Sequence, residues 1–370
     1  MGSLLSSSDS VKLNKFYKTV QKDLKRFIGY PANMQMDYSE LYKFQKFFLN
    51  NIGDPFVVDQ YAPYRHQLEK EVLLFFSDLL HAGKDFWGYV TTGGTEGNLY
   101  GLYLARETYP QGIVYYSSDA HYSIPKSVRI LRMDHRMVAS QPHGEIDYAE
   151  LEQAIRSNRS RAPIILATIG TTMKGGNDQI QQIHVIMKKL EIHEYYIHCD
   201  AALNGMVLPF IKGSVPFDFS AGAHSIAISG HKLIGSPIAC GVFLGKKSYV
   251  DRLSESIEYA RTVDNTLVSS RSGLASLILW YAIRLNGIKG YRRIIGECLD
   301  NAEYAVKKLQ QIGIAAWRNK HSFIVVFPCT SKTVIEKWHL APQGELVHIV
   351  TMPHVTKDLI DDLIKDLKKR

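Results

Sequence analysis

A chain of 370 residues, 45% hydrophobic and 22% charged, has ordinary globular composition and enough length for a large core. Its formal net charge of +8 is spread out, densest in residues 12–26 and 365–370; no basic stripe interleaves with aromatics, so it reads as solvated helix faces rather than a nucleic-acid surface. No apolar stretch reaches membrane-spanning length, no signal peptide is evident, and the four cysteines (Cys199, Cys240, Cys298, Cys329) form no CxxC pair, so they read as free thiols of a reducing, cytoplasmic compartment.

The start, Met1-Gly2-Ser3-Leu4-Leu5-Ser6, formally matches a myristoylation pattern but reads more simply as a Ser-rich leader. Residues 10–28 carry Val11, Leu13, Phe16, Val20, Leu24 and Phe27 at helical spacing, and Gly29-Tyr30-Pro31 ends that helix. Residues 38–50 read as a second helix and 66–80 as a third. The rhythm then changes. Residues 87–91 form a short apolar run, followed by Gly93-Gly94-Thr95-Glu96-Gly97-Asn98 and a helix to about residue 107. Residues 112–116, 164–169, 196–198, 226–228 and 238–244 are further short apolar runs, set apart by helix-length segments. From about Gly273 the pattern becomes long helices, then strands at 314–328 and 346–350, then a terminal helix. Short buried strands alternating with helices indicate an α/β fold with a doubly wound, mainly parallel sheet, followed by a small α+β unit. The expected divisions are a helical segment over 1–55, a large domain over 56–285 and a small C-terminal domain over 286–370.

Ligands of open parallel sheets bind at the carboxyl ends of the strands, and four such ends here carry polar groups. Gly93-Gly94-Thr95 precedes a helix; it permits close backbone approach and favours an anion, or it is a plain cap at Thr95. The run 164–169 leads into Gly170-Thr171-Thr172. The run 196–198 leads to Asp200, which could also cap a helix or join a core ion pair. The run 226–228 leads to Ser229-Gly230-His231-Lys232. His198 and Asp200 share one side of their strand and Cys199 does not, which speaks against a metal cluster. His121, in Asp119-Ala120-His121-Tyr122-Ser123, either stacks on a flat ring or is an ordinary loop histidine. A lysine at the end of one buried strand and an aspartate at the end of another suggest pyridoxal 5′-phosphate. Lys232 can hold the aldehyde covalently, and Asp200 can keep the pyridine nitrogen protonated.

Together these motifs resemble those of the group II pyridoxal-phosphate-dependent amino acid decarboxylases, from Gly29-Tyr30-Pro31 to the final helix. The resemblance implies the pyridoxal-phosphate-dependent transferase fold of type I, with a seven-stranded type of sheet, and an active site at a homodimer interface. It implies that Lys232 binds the cofactor, Asp200 pairs with the pyridinium nitrogen and His121 stacks on the ring. Gly94 and Thr95 hold phosphate with Ser229 and His231 nearby, Ala202 packs on the other ring face, and Thr172 lies near the ring edge. Residues 258–264 match the family's mobile loop, which makes Tyr259 the expected proton donor, or else a tyrosine packed at the dimer interface. Ser269-Ser270-Arg271-Ser272-Gly273 departs from the usual Gly-Ser-Arg-Asn-Gly, which puts in doubt the contacts this loop makes to a neighbouring subunit's cofactor. Ala316-Trp317-Arg318-Asn319-Lys320 and Asp200-Ala201-Ala202 are similar to bacterial histidine decarboxylases. Gly53-Asp54-Pro55-Phe56 and Thr351-Met352-Pro353 are similar to plant serine decarboxylases. The expected reaction is decarboxylation of an amino acid, histidine first and serine second. An aminotransferase or lyase on the same fold, and a non-catalytic binding protein, are the competing classes.

Overall fold

The structure, a computed structural model, describes residues 5–57, 66–253, 255–257 and 262–369. Seven strands form the central sheet: β1 (Phe86–Thr91), β2 (Ile113–Ser117), β3 (Asp134–Val138), β4 (Pro163–Thr168), β5 (Tyr196–Asp200), β6 (Ser225–Ser229) and β7 (Gly241–Lys246). Their spatial order is β1-β7-β6-β5-β4-β2-β3. Only β7 runs against the rest, antiparallel to both β1 and β6. The middle strands are buried at every residue, which is why they appear in sequence as unbroken apolar runs.

After α1 (Ser7–Leu24), helices cover both faces of the sheet: α2 (Gln67–Leu79), α3 (Gly94–Thr108), α4 (Ser123–Ile130), α5 (Tyr148–Arg156), α6 (Ile180–Lys189) and α7 (Gly273–Gln311). α7 is broken at Gly287, whose φ of 55° and ψ of −174° are not helical. A three-stranded antiparallel sheet follows, in the order β8 (Ile324–Pro328), β10 (Leu346–Val350), β9 (Ala341–Gln343), with α8 (Lys332–Trp338) and α9 (Lys357–Leu367). The α/β class, the mainly parallel seven-stranded sheet and the terminal α+β unit are as expected. No helix among the described residues is long and apolar enough to cross a membrane.

Strand parity builds two cores. Tyr196, Ile164, Leu166 and Phe243 pack with α3 on one face. Ile165, Ala167, Ile197 and Cys199 pack on the other, with α6 and α7. α3 lies unusually close to its face. A Cβ on Gly101 would fall 2.2 Å from His198 Nδ1, and one on Gly97 would fall 2.8 Å from Ala227 Cβ. Only glycine allows that approach.

Three elements differ from the sequence expectation. Residues 38–50 are a 3₁₀ turn (Ser39–Lys46) and then a short strand (Asn50–Ile52) paired with Ser270–Ser272. Asn51 explains the extension, because its buried amide reaches Glu69 Oε2 at 2.6 Å and pulls the chain away from a helical path. The expected strand over 314–328 contracts to β8, with Trp317 making one isolated bridge to Val326. α1 starts at a Ser6 cap and ends at Leu24, and none of its residues is buried. Phe16 is 65% exposed, so the apolar side of α1 is left uncovered among the described residues.

Candidate active site

The polar residues at the strand ends meet in one cavity of about 220 Å³. Parity and register explain the meeting. Thr168 on β4 pairs with Asp200 on β5, and Asp200 pairs with Ala227 on β6, two residues before Ser229. Side chains of paired residues in parallel strands share a face, so Thr168, Asp200 and Ser229 all end on the α3 side. The N-terminus of α3 closes over them. Gly93, at φ 153°, turns the chain into the helix, and a Cβ on Gly94 would lie 2.8 Å from Ser229 Oγ and 3.3 Å from Ala202 Cβ. Glu96 fastens the turn by accepting hydrogen bonds from Thr92 N and Oγ1 at 2.7 and 2.6 Å.

Lys232 follows β6 in a tight loop. Gly230 N donates to Cys240 O at 2.8 Å and Ser236 N to Gly230 O at 3.1 Å. Residues 28–33 strap this loop to the C-terminal sheet. Asn33 N donates to Lys232 O at 3.2 Å and Asn33 Nδ2 to Leu233 O at 2.9 Å. At the other end of the strap, Val350 N donates to Ile28 O at 2.7 Å and His348 Nε2 to Gly29 O at 2.9 Å. Burial lowers the pKa of the Lys232 amine, and the Asp200 carboxylate opposes that shift. Asp200 is 5% exposed and accepts from Ala202 N at 3.2 Å.

His121 sits in the loop after β2. Its Nδ1 accepts from Ser123 N at 3.3 Å, which leaves the ring proton on Nε2. Burial pushes its pKa down, Asp200 pushes it up, and Lys232 and Lys126 push it down. A Lys174–Asp119 ion pair at 2.7 Å ties this loop to the one after β4. That second loop is folded on itself, with Gly170 N and Thr171 N both donating to Gly176 O at 2.9 Å. His231 donates Nδ1–H to Cys240 O at 3.0 Å, so its Nε2 is the free ring atom. Burial lowers its pKa, the Cys240 carbonyl raises it and Lys232 lowers it.

Nine residues expected at a cofactor line this cavity together: Gly94, Thr95, His121, Thr172, Asp200, Ala202, Ser229, His231 and Lys232. Tyr259 lies outside the described residues. Asn98, Tyr122, Ser123, Thr168 and Gly170, none of which was assigned a role from sequence, also line the cavity. Asn98 stands four residues after Gly94, so helical spacing is the signal that identifies it. Arg271 does not reach this cavity. Its guanidinium turns inward to Glu69 Oε2 at 3.1 Å and stacks over the Tyr89 ring. Burial would raise the Glu69 carboxyl, yet Arg271 and His66 hold it at about 2.

The donor set fits pyridoxal 5′-phosphate. A helix N-terminus and a serine hydroxyl offer donors to a phosphate, an amine of lowered basicity suits an aldehyde, and a buried carboxylate suits a pyridinium. Thr168 Oγ1 is buried on the cavity wall with no hydrogen-bond partner among the described residues, as expected where a ligand is meant to sit.

The model of the pyridoxal-dependent decarboxylase conserved domain matches residues 44–327. Histidine decarboxylase of Vibrio anguillarum (strain ATCC 68554 / 775) is 45% identical over 98% of this chain and 95% of its own length. That of Morganella morganii is 45% identical over 98% of each. Among solved structures, L-methionine decarboxylase from Streptomyces sp. 590 shares the fold with a TM-score of 0.89 at 23% identity, covering 99% of this chain and 95% of that one. Glutamate decarboxylase of Lactobacillus brevis does so with a TM-score of 0.83 at 17% identity, covering 100% and 93%. With its lysine, aspartate and glycine turn gathered at the strand ends, the chain belongs to the family of pyridoxal-dependent decarboxylases.

Proposed function

We propose that the protein converts L-histidine to histamine and carbon dioxide, with pyridoxal 5′-phosphate held in the cavity at the ends of β4, β5 and β6. The observation that carries histidine is the 45% identity to two histidine decarboxylases over nearly the whole chain. Gly94, Thr95 and Ser229 hold the phosphate, with His231 beside them. Lys232 would hold the cofactor's aldehyde through its amine, whose lowered pKa leaves more of it neutral and nucleophilic. Asp200 keeps a proton on the ring nitrogen. His121 and Ala202, both on the cavity wall, would pack against the ring, with Thr172 near its edge. When bound, the cofactor supplies an electron sink for the pair left at Cα as carbon dioxide departs. Tyr259 then delivers a proton to Cα, which completes the amine.

The test is a panel of amino acids, serine included, with products identified by mass. Histamine from histidine is the expected product, and a panel in which histidine gives none removes the reading. Run in parallel, Tyr259→Phe should still bind histidine but release little amine; unchanged turnover would show that its hydroxyl is dispensable.

We also propose that the working unit is a homodimer. The supporting feature is α1, which presents Leu13, Phe16 and Leu24 to solvent at 57, 65 and 41% exposure, an apolar stripe that a second copy can cover. Light scattering of the full chain should give twice the chain mass, and deletion of residues 1–24 should shift it toward monomer. A full-length monomer at micromolar concentration contradicts this.

A further inference from the structure

Asn98 is the third α3 residue on the cavity wall, after Gly94 and Thr95, and is 2% exposed. Behind it runs a chain of buried groups. Asn98 Oδ1 is 3.0 Å from His198 Nε2, His198 Nδ1 is 2.7 Å from Ser225 Oγ, and Ser225 Oγ is 3.0 Å from the Tyr196 hydroxyl.

The far end sets the direction of this chain. The Tyr196 hydroxyl is buried and has Ser225 Oγ as its one hydrogen-bond partner among the described residues, so its proton points there. Ser225 then gives its own proton to His198 Nδ1. The imidazole proton is left on Nε2, which donates to Asn98 Oδ1. The opposite polarity strands the Tyr196 proton in an apolar core, which burial penalises. Burial also holds the His198 imidazole neutral, its pKa pushed down to about 3, as a one-proton relay requires.

With Oδ1 engaged, Asn98 has its NH₂ group left for the cavity, and no acceptor meets it among the described residues. Helical side chains lean toward the N-terminus of their helix. The amide therefore lies over the turn at Gly94 and Thr95, where backbone N–H groups and the helix dipole favour an anion.

We propose that Asn98 is a further cofactor-binding residue, whose NH₂ group, oriented by the Tyr196–Ser225–His198 relay, donates a hydrogen bond to the phosphate of pyridoxal 5′-phosphate. His198 is then a positioning residue that acts through Asn98. The assignment rests on the reading of this cavity as the cofactor site.

The test is reconstitution of the cofactor-free full-length protein with pyridoxal 5′-phosphate and, separately, with pyridoxal, followed by absorbance. Asn98→Ala should weaken pyridoxal 5′-phosphate about tenfold or more, as for a lost hydrogen bond to a charged group, and leave pyridoxal affinity unchanged. Inorganic phosphate, as a competitor of reconstitution, should weaken in parallel. Asn98→Asp keeps the shape but turns a carboxylate toward the anion, so it should lose more, and it carries the test if Asn98→Ala does not fold. His198→Phe, whose ring can keep the stack on Phe243, should show a smaller loss with the same preference. Equal weakening of both ligands, or no weakening of either, overturns the assignment. A wild-type protein that binds neither ligand overturns the cofactor reading itself, and that outcome is distinct because it appears before any substitution.

Discussion

Lys232→Ala is expected to lower amine release by about 10⁴-fold or more, the scale seen when an enzyme loses its nucleophile. The protein should still fold. The loop keeps its shape through the backbone bonds of Gly230, Ser236 and Asn33, none of which uses the lysine side chain. The amine is buried within range of the Asp200 charge, and alanine removes that neighbour from the carboxylate. Borohydride treatment followed by intact-mass measurement gives a readout independent of turnover. Wild-type protein should gain the mass of one reduced cofactor and the variant should gain none. A variant that still fixes the cofactor, or that turns over at the wild-type rate, removes Lys232 from its role.

Asp200→Asn is expected to lower turnover by about 10² to 10³-fold, the range for removing one preorganised electrostatic group from an active site. Asparagine has nearly the same shape and can still accept from Ala202 N, as Asp200 Oδ1 does. What it loses is the negative charge that holds a proton on the ring nitrogen. Covalent binding through Lys232 should survive, so borohydride fixation separates the two variants. Equal turnover in Asp200→Asn and wild type would show that the ring nitrogen needs no charged partner. Loss of fixation in Asp200→Asn would assign the residue to binding rather than to the electronics of the ring.

Strands buried on both faces were the legible part of this fold. The runs ending at Ile169 and Ile228 are continuous and apolar because β4 and β6 have protein on each side. β3 was not legible. It is an edge strand, Asp134 to Val138, exposed at four of its five residues, and carries no apolar run. α1 was legible as a helix, but its apolar stripe says nothing of what covers it, and among the described residues nothing does.

The site divides along a similar line. Asp200, Ser229 and Lys232 are readable because a reactive group at the end of an apolar run is conspicuous, and period-two parity places Asp200 and His198 on one side and Cys199 on the other. Cys199 indeed packs in the opposite core, with its thiol on Phe217 O. Thr168 and Asn98 are not conspicuous. Their importance lies in what tertiary packing leaves unpaired, an Oγ1 in one case and an NH₂ in the other, and one-dimensional spacing does not record it. Arg271 shows the converse. Its motif bears only on contacts to a neighbouring subunit's cofactor, and within one chain its guanidinium is bound to Glu69 and stacked on Tyr89.

The strap over residues 28–33 turns chain order into an order of assembly. Its inner end holds the backbone of Lys232 and Leu233, yet its outer end is held by Val350 and His348, which a ribosome adds more than 100 residues after Lys232. Contacts that span some 300 residues form late because loop closure must be met first. A nascent chain therefore carries the cofactor lysine for more than 100 residues of synthesis before the strap can be anchored at both ends. Loading of pyridoxal 5′-phosphate into a settled site then waits for β10, and a truncation that removes β10 would leave Lys232 present but its loop unmoored.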